Sequence, residues 1–434
     1  MEGVITSDVV NMGGSLLFEP GADAGAVQAD QYEAQAGVAI WGSSNNYPKE
    51  IIDLVSKSTE VGPLLDWKIK VLHGKRIKAV TVDAEGKATE INDNEIKSFL
   101  RARTTKRYWR EACTDMVWFA NAFPELIKTK DKSKIAYIGT QDASFCRYGE
   151  MEKGVIKKCF VSAKWPAAKI DDAETLKYDV IDPYSYNAVE KTKTATQAKF
   201  IYPISIPSPG KLYYQLASWD GLRLSKWLDL MAKIPILKGA FLDKVLNVVY
   251  EIGVNSDLWP KWFKNWEDLK DEEKAAKKIE WVNAMNKRLC GVENAGSSII
   301  TEFAYDEDGN LVNGVTIKPI VNPFKDGQWL EDSQEGSAHT MRALGVDATL
   351  VGAGPGKNMG AGSGSDKLVA VKIYEALQVF TREILLEPLN FVAEYNGWFK
   401  THPDLEFQVD GIELNFDKAT VRPIGQKGVG DATT

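Results

Sequence analysis

The chain has 434 residues, of which 44% are hydrophobic and 26% charged, and its 53 basic and 60 acidic residues give a net charge of −7 at pH 7. This composition excludes fibrous and disordered proteins, and no stretch approaches the ~20 apolar residues of a membrane-spanning helix. The acidic balance argues against a protein that wraps nucleic acid by neutralising phosphates, because such surfaces are basic overall. At the usual ~150 residues per domain, the length predicts about three lobes.

The cysteines and histidines predict neither a metal site nor a disulfide framework. Cys113, Cys146, Cys159 and Cys290 have no CxxC spacing, and the three histidines lie far apart. We therefore expect free thiols in a reducing compartment, no metal and no cofactor. Residues 1–28 contain no lysine or arginine, so they lack the basic start of a secretory signal and indicate assembly in a cytoplasm.

The first half of the chain predicts a mixed α+β lobe. Residues 1–40 are rich in glycine, alanine and acidic residues, which is typical of an arm without a hydrophobic core of its own. Apolar residues then recur first at helical and later at strand spacing. The predicted elements are a helix after Pro48, a second helix ending at Gly74, a hairpin at 83–87, helices over 92–103 and 106–119, and strands from Ala122 to Ile204.

Two helices separated by a short aromatic segment form the predicted middle of the chain. Helical spacing runs over residues 220–248, and Pro235 inside this run predicts a kink or break near residues 231–234. The aromatic segment follows at 259–266. The second helix is expected from about Asp268, with acidic residues in its first turn, to a stop at Gly291.

The last third is predicted to contain strands, two helices and a glycine-rich stretch. Strands over 297–303 and 315–320 flank a turn, and a helix follows from about Gly327 to Leu344. Six of the thirteen residues from Gly352 to Gly364 are glycine, too many for a regular element. The final elements are a long helix from Asp366 to about Tyr395 that Pro388 should bend, two short strands over 405–409 and 412–416, and a polar tail.

The glycine-rich stretch fails both common nucleotide-binding patterns. A Walker A loop needs Gly-Lys followed by Ser or Thr, whereas Gly356-Lys357 precedes Asn358 and position 351 is valine. The dinucleotide pattern fails because Lys357 stands where its third glycine should be. A conformationally permissive loop is the interpretation we favour, and a nucleotide-binding enzyme is the alternative.

Thirteen tryptophans raise the alternative of a protein that binds bases or sugars by stacking. Several of them have the spacing of helix-face core or interface residues. The cluster of Trp259, Trp262, Phe263 and Trp266 is different, because a short connector is not expected to bury three indoles by itself. We predict that this cluster packs against a neighbouring subunit. No carboxylate pair lies beside a base, nucleophile or metal cluster, so we predict no catalytic site.

Several segments resemble the portal proteins of tailed bacteriophages, best over residues 213–398. They are a tyrosine-rich entry into the first long helix, a glycine- and asparagine-rich exit from the second, a Leu-Gly-Val phrase before the glycine loop, and a proline in the last long helix. These segments are Tyr213-Tyr214-Gln215-Leu216, Gly291-Val292-Glu293-Asn294-Ala295-Gly296, Leu344-Gly345-Val346-Asp347 and Leu386-Glu387-Pro388-Leu389. Upstream, Asn121-Ala122-Phe123 is similar to the helix-to-strand transition of the portal wing.

The sequence departs from the portal pattern in two places. Asp347-Ala348 replaces the proline that usually follows the Gly-Val phrase, and the region after Phe416 is too short for a large helical crown. The resemblance implies an α+β portal fold that assembles into a ring, dodecameric in virions. Its parts would be an N-terminal arm (1–40), a mixed α/β wing (41–219 and 291–350), stem helices (220–290) with a clip at about 248–267, a tunnel loop and Pro-kinked tunnel helix (351–398), and C-terminal strands with a reduced crown (399–434).

The resemblance also implies a structural role, not catalysis, at one capsid vertex of a virion assembled in the host cytoplasm. Double-stranded DNA would pass through the channel, and the net acidic charge would repel phosphate instead of gripping it. The implied partners are the terminase large subunit, the major capsid protein and a head–tail adaptor protein, with no membrane. The residues expected nearest the DNA are Gly352, Gly354, Gly356, Lys357, Asn358, Gly360, Gly362 and Lys367.

Three alternatives stay open at this point. The chain could be another head or connector component without a channel. It could be a nucleotide-binding enzyme that uses residues 352–364. It could be a monomeric binding protein with stacking tryptophans.

Overall fold

A computed structural model describes residues 9–12, 15–18, 34–35, 37–244, 248–289, 297–303, 315–319, 328–351 and 364–412. The chain divides into two compact units. We call residues 1–225 and 339–434 the body unit, and residues 226–338 the inserted unit, because they interrupt the body unit in the sequence. Each unit has its own sheet and its own buried apolar cluster. The α+β class expected from the sequence is confirmed.

The described helices and strands follow the predicted order closely. The helices are α1 (Tyr47–Ser56), α2 (Val61–His73), α3 (Asn94–Arg101), α4 (Arg103–Phe119), α5 (Ala188–Thr194), α6 (Gly221–Leu224), α7 (Trp227–Lys244), α8 (Leu258–Trp262), α9 (Asp271–Leu289), α10 (Gln328–Leu344), α11 (Ala348–Val351), α12 (Gly364–Asn396) and α13 (Trp398–Thr401). The strands are β1 (Val9–Met12), β2 (Ser15–Phe18), β3 (Ala34–Gln35), β4 (Val38–Ala39), β5 (Arg76–Val82), β6 (Ala88–Glu90), β7 (Asn121–Lys128), β8 (Ile135–Gln141), β9 (Cys146–Tyr148), β10 (Lys158–Val161), β11 (Leu176–Val180), β12 (Lys199–Ile201), β13 (Ile204–Ser205), β14 (Val248–Asn255), β15 (Ser297–Phe303), β16 (Val315–Pro319) and β17 (Leu405–Asp410). None of the helices in these ranges is long and apolar enough to cross a lipid bilayer.

Local sequence explains where the first helices begin and end. Asp93 caps α3, because its carboxylate accepts hydrogen bonds from the backbone amides of Glu95 and Ile96. Helix α2 ends at Gly74, whose φ is +62°. A Cβ at Gly74 would lie 2.6 Å from the carbonyl oxygen of Asp410, so only glycine fits this turn beside β17.

The body unit is built on a seven-stranded sheet in which β7 pairs with three strands, β8, β12 and β13. The strand order is β13-β7-β12-β11-β10-β9, and β8 pairs with β7 as an additional strand. Strand β7 is buried over most of its length because α4 packs on both β7 and β8. Its apolar residues Ala122, Phe123 and Leu126 are buried, and so are its polar residues Asn121, Glu125 and Lys128.

A second sheet of the body unit joins an early and a late segment of the chain. Strand β5 pairs with β6 in the predicted hairpin and with β17 in an antiparallel ladder from Leu405 opposite Thr81 to Asp410 opposite Arg76. The first predicted C-terminal strand is therefore present, and its partner lies more than 300 positions earlier in the sequence. The second, over 412–416, lies outside the described residues beyond 412.

The core of the body unit lies between α4, the sheets and the C-terminal half of α12. Its residues without any exposed surface include Tyr108, Ala112, Cys113, Leu385 and Leu389. The end of the predicted arm also belongs to this unit. Val38 and Ala39 are buried, and the Tyr214 hydroxyl donates a hydrogen bond to the carbonyl of Ala39.

The inserted unit contains a strand that the sequence expectation lacked. Helix α7 ends at Lys244, and residues 248–255 form β14, which pairs with β15 in parallel and with β16 in antiparallel orientation. The strands predicted to flank a turn therefore lie on either side of β14. Helix α7 runs through Pro235 without a break, so a kink near residues 231–234 is the part of that prediction that remains. A residue with left-handed backbone conformation lies before the helix, at Lys226 with φ +65°.

Candidate functional site

Helix α12 has two halves with opposite environments. In the C-terminal half, Leu385, Leu389 and Val392 have no exposed surface. In the N-terminal half, Val369, Ile373, Leu377 and Phe380 are between 55% and 67% exposed. Their spacing of four, four and three residues places them on one side of the helix. We call these four residues the exposed apolar face. A stripe of this kind in a monomer marks a surface that another molecule covers.

The opposite side of the same half is fixed to the body unit. The Tyr374 ring is buried against Trp67, with ring centroids 4.5 Å apart. This contact joins α12 to α2. The exposed apolar face is therefore presented on a helix whose other side is held in place.

A buried arginine forms the strongest polar link between α12 and the rest of the body unit. The Arg382 guanidinium donates to the carbonyl oxygens of Leu72 at 3.1 Å and Val71 at 2.7 Å, which belong to the last turn of α2. Carbonyls in the last turn of a helix have no intrahelical partner. Arg382 also pairs with Glu375 at 2.8 Å, and Glu375 accepts a hydrogen bond from the amide of Ile412 at 3.0 Å. The Arg382–Glu375 pair thus holds α2, α12 and Ile412, two residues after β17, together.

The predicted kink residue, Pro388, lies inside α12. A proline here removes the amide that would bond to the carbonyl of Ile384. At the neighbouring position, the buried Tyr108 hydroxyl donates a 2.6 Å hydrogen bond to the carbonyl of Leu385. Burial raises the pKa of Tyr108 well above the ordinary tyrosine value, so its hydroxyl stays protonated as a donor. This segment of α12 is therefore tied to α4.

The aromatic cluster of the inserted unit is packed within the chain. Trp259 is buried, and its ring stacks with Phe263 at 6.2 Å and with Trp266 at 5.9 Å. Trp281, from α9, stacks on Trp262 with ring centroids 5.4 Å apart. The sheet and α9 supply the surface that the short connector lacks, so Trp259 is buried within the inserted unit. The predicted contact of this cluster with a neighbouring subunit stays a prediction.

Part of the aromatic cluster is nevertheless accessible. Trp262 remains 40% exposed, and Ile279 on α9 is also exposed. On α7, Leu230, Ile236 and Leu237 are exposed, Ile236 by 70%. Both long helices of the inserted unit therefore present apolar side chains that this unit does not cover.

Most residues of the predicted tunnel loop, namely Gly352, Gly354, Gly356, Lys357, Asn358, Gly360 and Gly362, lie outside the described residues. Lys367 is described, and it is an exposed residue in the first turn of α12. The structure therefore places Lys367 two residues before the exposed apolar face begins at Val369.

The described side chains offer little for catalysis. Within the described ranges, no group of three or more His, Cys, Asp and Glu side chains is arranged to hold a metal ion. Cys113, Cys146 and Cys159 are buried free thiols, and burial raises the pKa of Cys113 and Cys146. Thiols with raised pKa are poor nucleophiles, because the thiolate is the reactive form.

A buried carboxyl group gives one prediction about stability. Burial, and then the nearby Asp142, raise the pKa of Asp115 well above its ordinary value of 3.8. Its carboxyl group accepts one hydrogen bond, from the Ala143 amide at 3.1 Å. The Asp115 carboxyl group thus has a higher pKa in the folded than in the unfolded protein. Its contribution to the free energy of unfolding is fully present below the unfolded pKa and is lost as the pH rises toward the folded pKa. The loss is about 1.4 kcal/mol for each unit that separates the two pKa values.

Asp115→Asn is therefore expected to unfold at a higher denaturant concentration than the wild type at pH 8, with a difference that shrinks toward pH 4. Asparagine keeps an oxygen for the Ala143 amide and has no charge to bury. Urea unfolding across this pH range measures the effect, with Glu85→Gln at an exposed turn as control. A variant that is less stable than the wild type at pH 8 would contradict this account.

Comparison with solved structures identifies the class of fold. No family model and no curated protein matches the chain. Its fold is shared with components of the neck of a phage-like particle, and the head–tail connector resemblance stated from the sequence is confirmed at the level of the fold.

The matched structures belong to gene transfer agent particles. A chain in the neck of the empty particle, computed with C6 symmetry, matches with a TM-score of 0.54 over 90% of this chain and 89% of that chain. A chain in the virion of the native particle matches with a TM-score of 0.52 over 87% and 86%. A chain in the native neck, computed with C12 symmetry, matches with a TM-score of 0.50 over 86% of each chain. All three are 13% identical to this chain.

The sequence did not identify the exposed apolar face or the Arg382 link. It showed the apolar residues of α12 but not which of them remain uncovered. Arg382 and Glu375 are seven positions apart, which is a helix-face spacing that would have suggested an ion pair. Nothing in the sequence indicates that the same arginine bonds to the end of α2.

Proposed function

We propose that the chain is a structural, non-enzymatic component of a phage-like virion that forms a portal ring at one capsid vertex. The observation that supports this most is the match of nearly the whole chain to chains in necks computed with C6 and C12 symmetry. The ring is a channel for DNA packaging and ejection, and a dodecamer in the virion. Double-stranded DNA, the terminase large subunit, the major capsid protein and a head–tail adaptor protein are its partners.

The exposed apolar side chains fit the requirements of a ring. Rotational rings use heterologous interfaces, so each subunit buries two different faces. The exposed apolar face on α12 and the uncovered residues of α7 and α9 are candidates for such faces. In this proposal, α7 and α9 are the stem helices, the segment 248–267 is the clip with Trp262 at a subunit contact, and α12 is the tunnel helix.

Negative-stain microscopy of the purified protein tests the proposal. Rings with an axial hole are expected, and the same sample should elute from a sizing column far ahead of a 48.1 kDa monomer. An assembly without a hole would favour a connector component without a channel. A monomer would favour the alternative of a monomeric binding protein with stacking tryptophans. Saturable heat release on titration with ATP or GTP would favour the nucleotide-binding enzyme.

The tunnel-loop assignment makes a separate prediction. Lys357→Ala is expected to reduce DNA packaging or genome retention by removing a cation near the DNA path, while ring formation is unchanged. Packaging assays and microscopy measure the two properties independently. Loss of ring formation in this variant would show that residue 357 is not part of a tunnel loop.

A further inference from the structure

The body unit contains a cavity that the proposed portal function does not use. Its volume is about 500 Å³, and it lies between β5, α3 and the first half of α4. Buried apolar side chains form its inner part, namely Ala79, Ile91 and Trp109. Such a cavity is large enough for a few side chains of a peptide.

The rim of the cavity is strongly basic. Lys97, Arg101, Lys106 and Arg110 project from α3 and α4, and further cations come from β5 and the residue before it. Among the lining residues, Glu90 is the only carboxylate. The combination of an apolar interior and a basic rim fits an acidic ligand with at least one apolar side chain.

Only part of this positive charge is neutralised by the described residues. Arg76 pairs with Glu90 at 2.9 Å and with Asp410 at 3.0 Å, and Lys78 pairs with Asp410 at 2.8 Å. The four cations on α3 and α4 form no ion pair with any described carboxylate. Lys97 bonds to the amide oxygen of Asn92, and the Arg110 guanidinium donates to the backbone carbonyl of Lys106.

The chain itself contains a segment of opposite charge. Residues 1–36 hold six acidic residues, Glu2, Asp8, Glu19, Asp23, Asp30 and Glu33, and no lysine or arginine. Without these six, 54 acidic residues remain against 53 basic ones. Nearly all of the net charge of −7 therefore belongs to residues 1–36. Residues 37–434 are almost neutral, so the acidic charge expected for a channel wall is not a property of that part of the chain.

We propose that the acidic segment 19–33 binds in the basic cavity, with its carboxylates at the rim cations and Val27 or Tyr32 against the apolar interior. The segment is long enough. Because β3 is paired with β4, the segment is attached at Ala34. About 11 extended residues from Asp23 to Ala34 span up to ~37 Å, whereas a compact unit of about 320 residues has a radius of gyration of ~20 Å. The attachment at Ala34 also raises the effective concentration of the segment near the cavity.

Zero-length carbodiimide cross-linking tests this on the full chain, because the reagent joins a carboxylate to a lysine amine only when the two are in contact. Mass spectrometry at low salt is expected to find Lys97 or Lys106 joined to Asp23, Asp30 or Glu33. The yield should fall at least fivefold in 0.5 M salt and in R101E/R110E. The matched control, K130E/K132E, removes two exposed cations of the β7–β8 turn and should leave the yield unchanged.

A charge exchange separates docking from other effects of the substitutions. Combining R101E/R110E with D30K/E33K should restore cross-links between the segment and the rim, now with the two charges exchanged. Mixing isotope-labelled and unlabelled protein tells whether the segment binds its own copy or an adjacent one, and both results support the proposal. It is overturned if the wild type gives no cross-link between these groups, or if R101E/R110E does not change the yield.

Discussion

L377D/F380D is expected to abolish assembly and leave a folded monomer. Both side chains are more than half exposed on the exposed apolar face of α12, so aspartate there does not disturb the core of the body unit. In a ring the same side chains would be covered, and burial of each contributes about 1.5–3 kcal/mol. Placing carboxylates in a covered apolar contact adds a penalty of several kcal/mol.

Microscopy and analytical sizing measure this outcome, with circular dichroism to verify the fold. I52D/L176D is the matched control, because Ile52 and Leu176 are exposed apolar residues of the body unit that are not on α12. The control should assemble like the wild type. Normal rings of L377D/F380D would show that this face is not a subunit contact.

Arg382→Met is expected to lower the free energy of unfolding of the body unit by about 3–5 kcal/mol. The substitution leaves the mostly buried Glu375 carboxylate without its cation, and it removes the Arg382 hydrogen bonds to the carbonyls of Leu72 and Val71, of which Val71 keeps the Gly74 amide as donor. Removing one partner of a buried ion pair typically has an effect of this size. Chemical denaturation followed by tryptophan fluorescence measures it.

The control for this prediction is Arg107→Met. Arg107 pairs with Glu111 one turn along α4, and both side chains are exposed, so a change below about 1 kcal/mol is expected. Equal effects of the two substitutions would show that the contacts of Arg382 with α2 add nothing to stability.

Elements with strong local patterns were predictable from the sequence. Helix α2 with Gly74 at its end, the β5–β6 hairpin and the long helix α12 follow from spacing and turn residues close to each other in the chain. The α+β class of the fold also followed, since it depends on the order of such elements.

Features that depend on distant residues were not predictable. Strand β14 was not predicted, because it forms by pairing with β15 and β16, which follow much later in the sequence. Strand β17 pairs with β5, which is distant in the sequence, and not with a strand close to it in the sequence. The exposure of Leu377 depends on what packs beside α12, and the role of Arg382 depends on carbonyls about 310 positions away.

The late position of α12 in the sequence has a consequence for synthesis. The contact of Tyr108 with Leu385 and the pairing of β5 with β17 can form only after the whole inserted unit has been synthesised. Contacts of such large sequence separation form slowly, because a long loop must close first. A chain that terminates before α12 therefore lacks both a finished core and the exposed apolar face. In the proposed ring, such a chain would have no α12 contact to offer a neighbouring subunit, so the order of elements would exclude truncated chains.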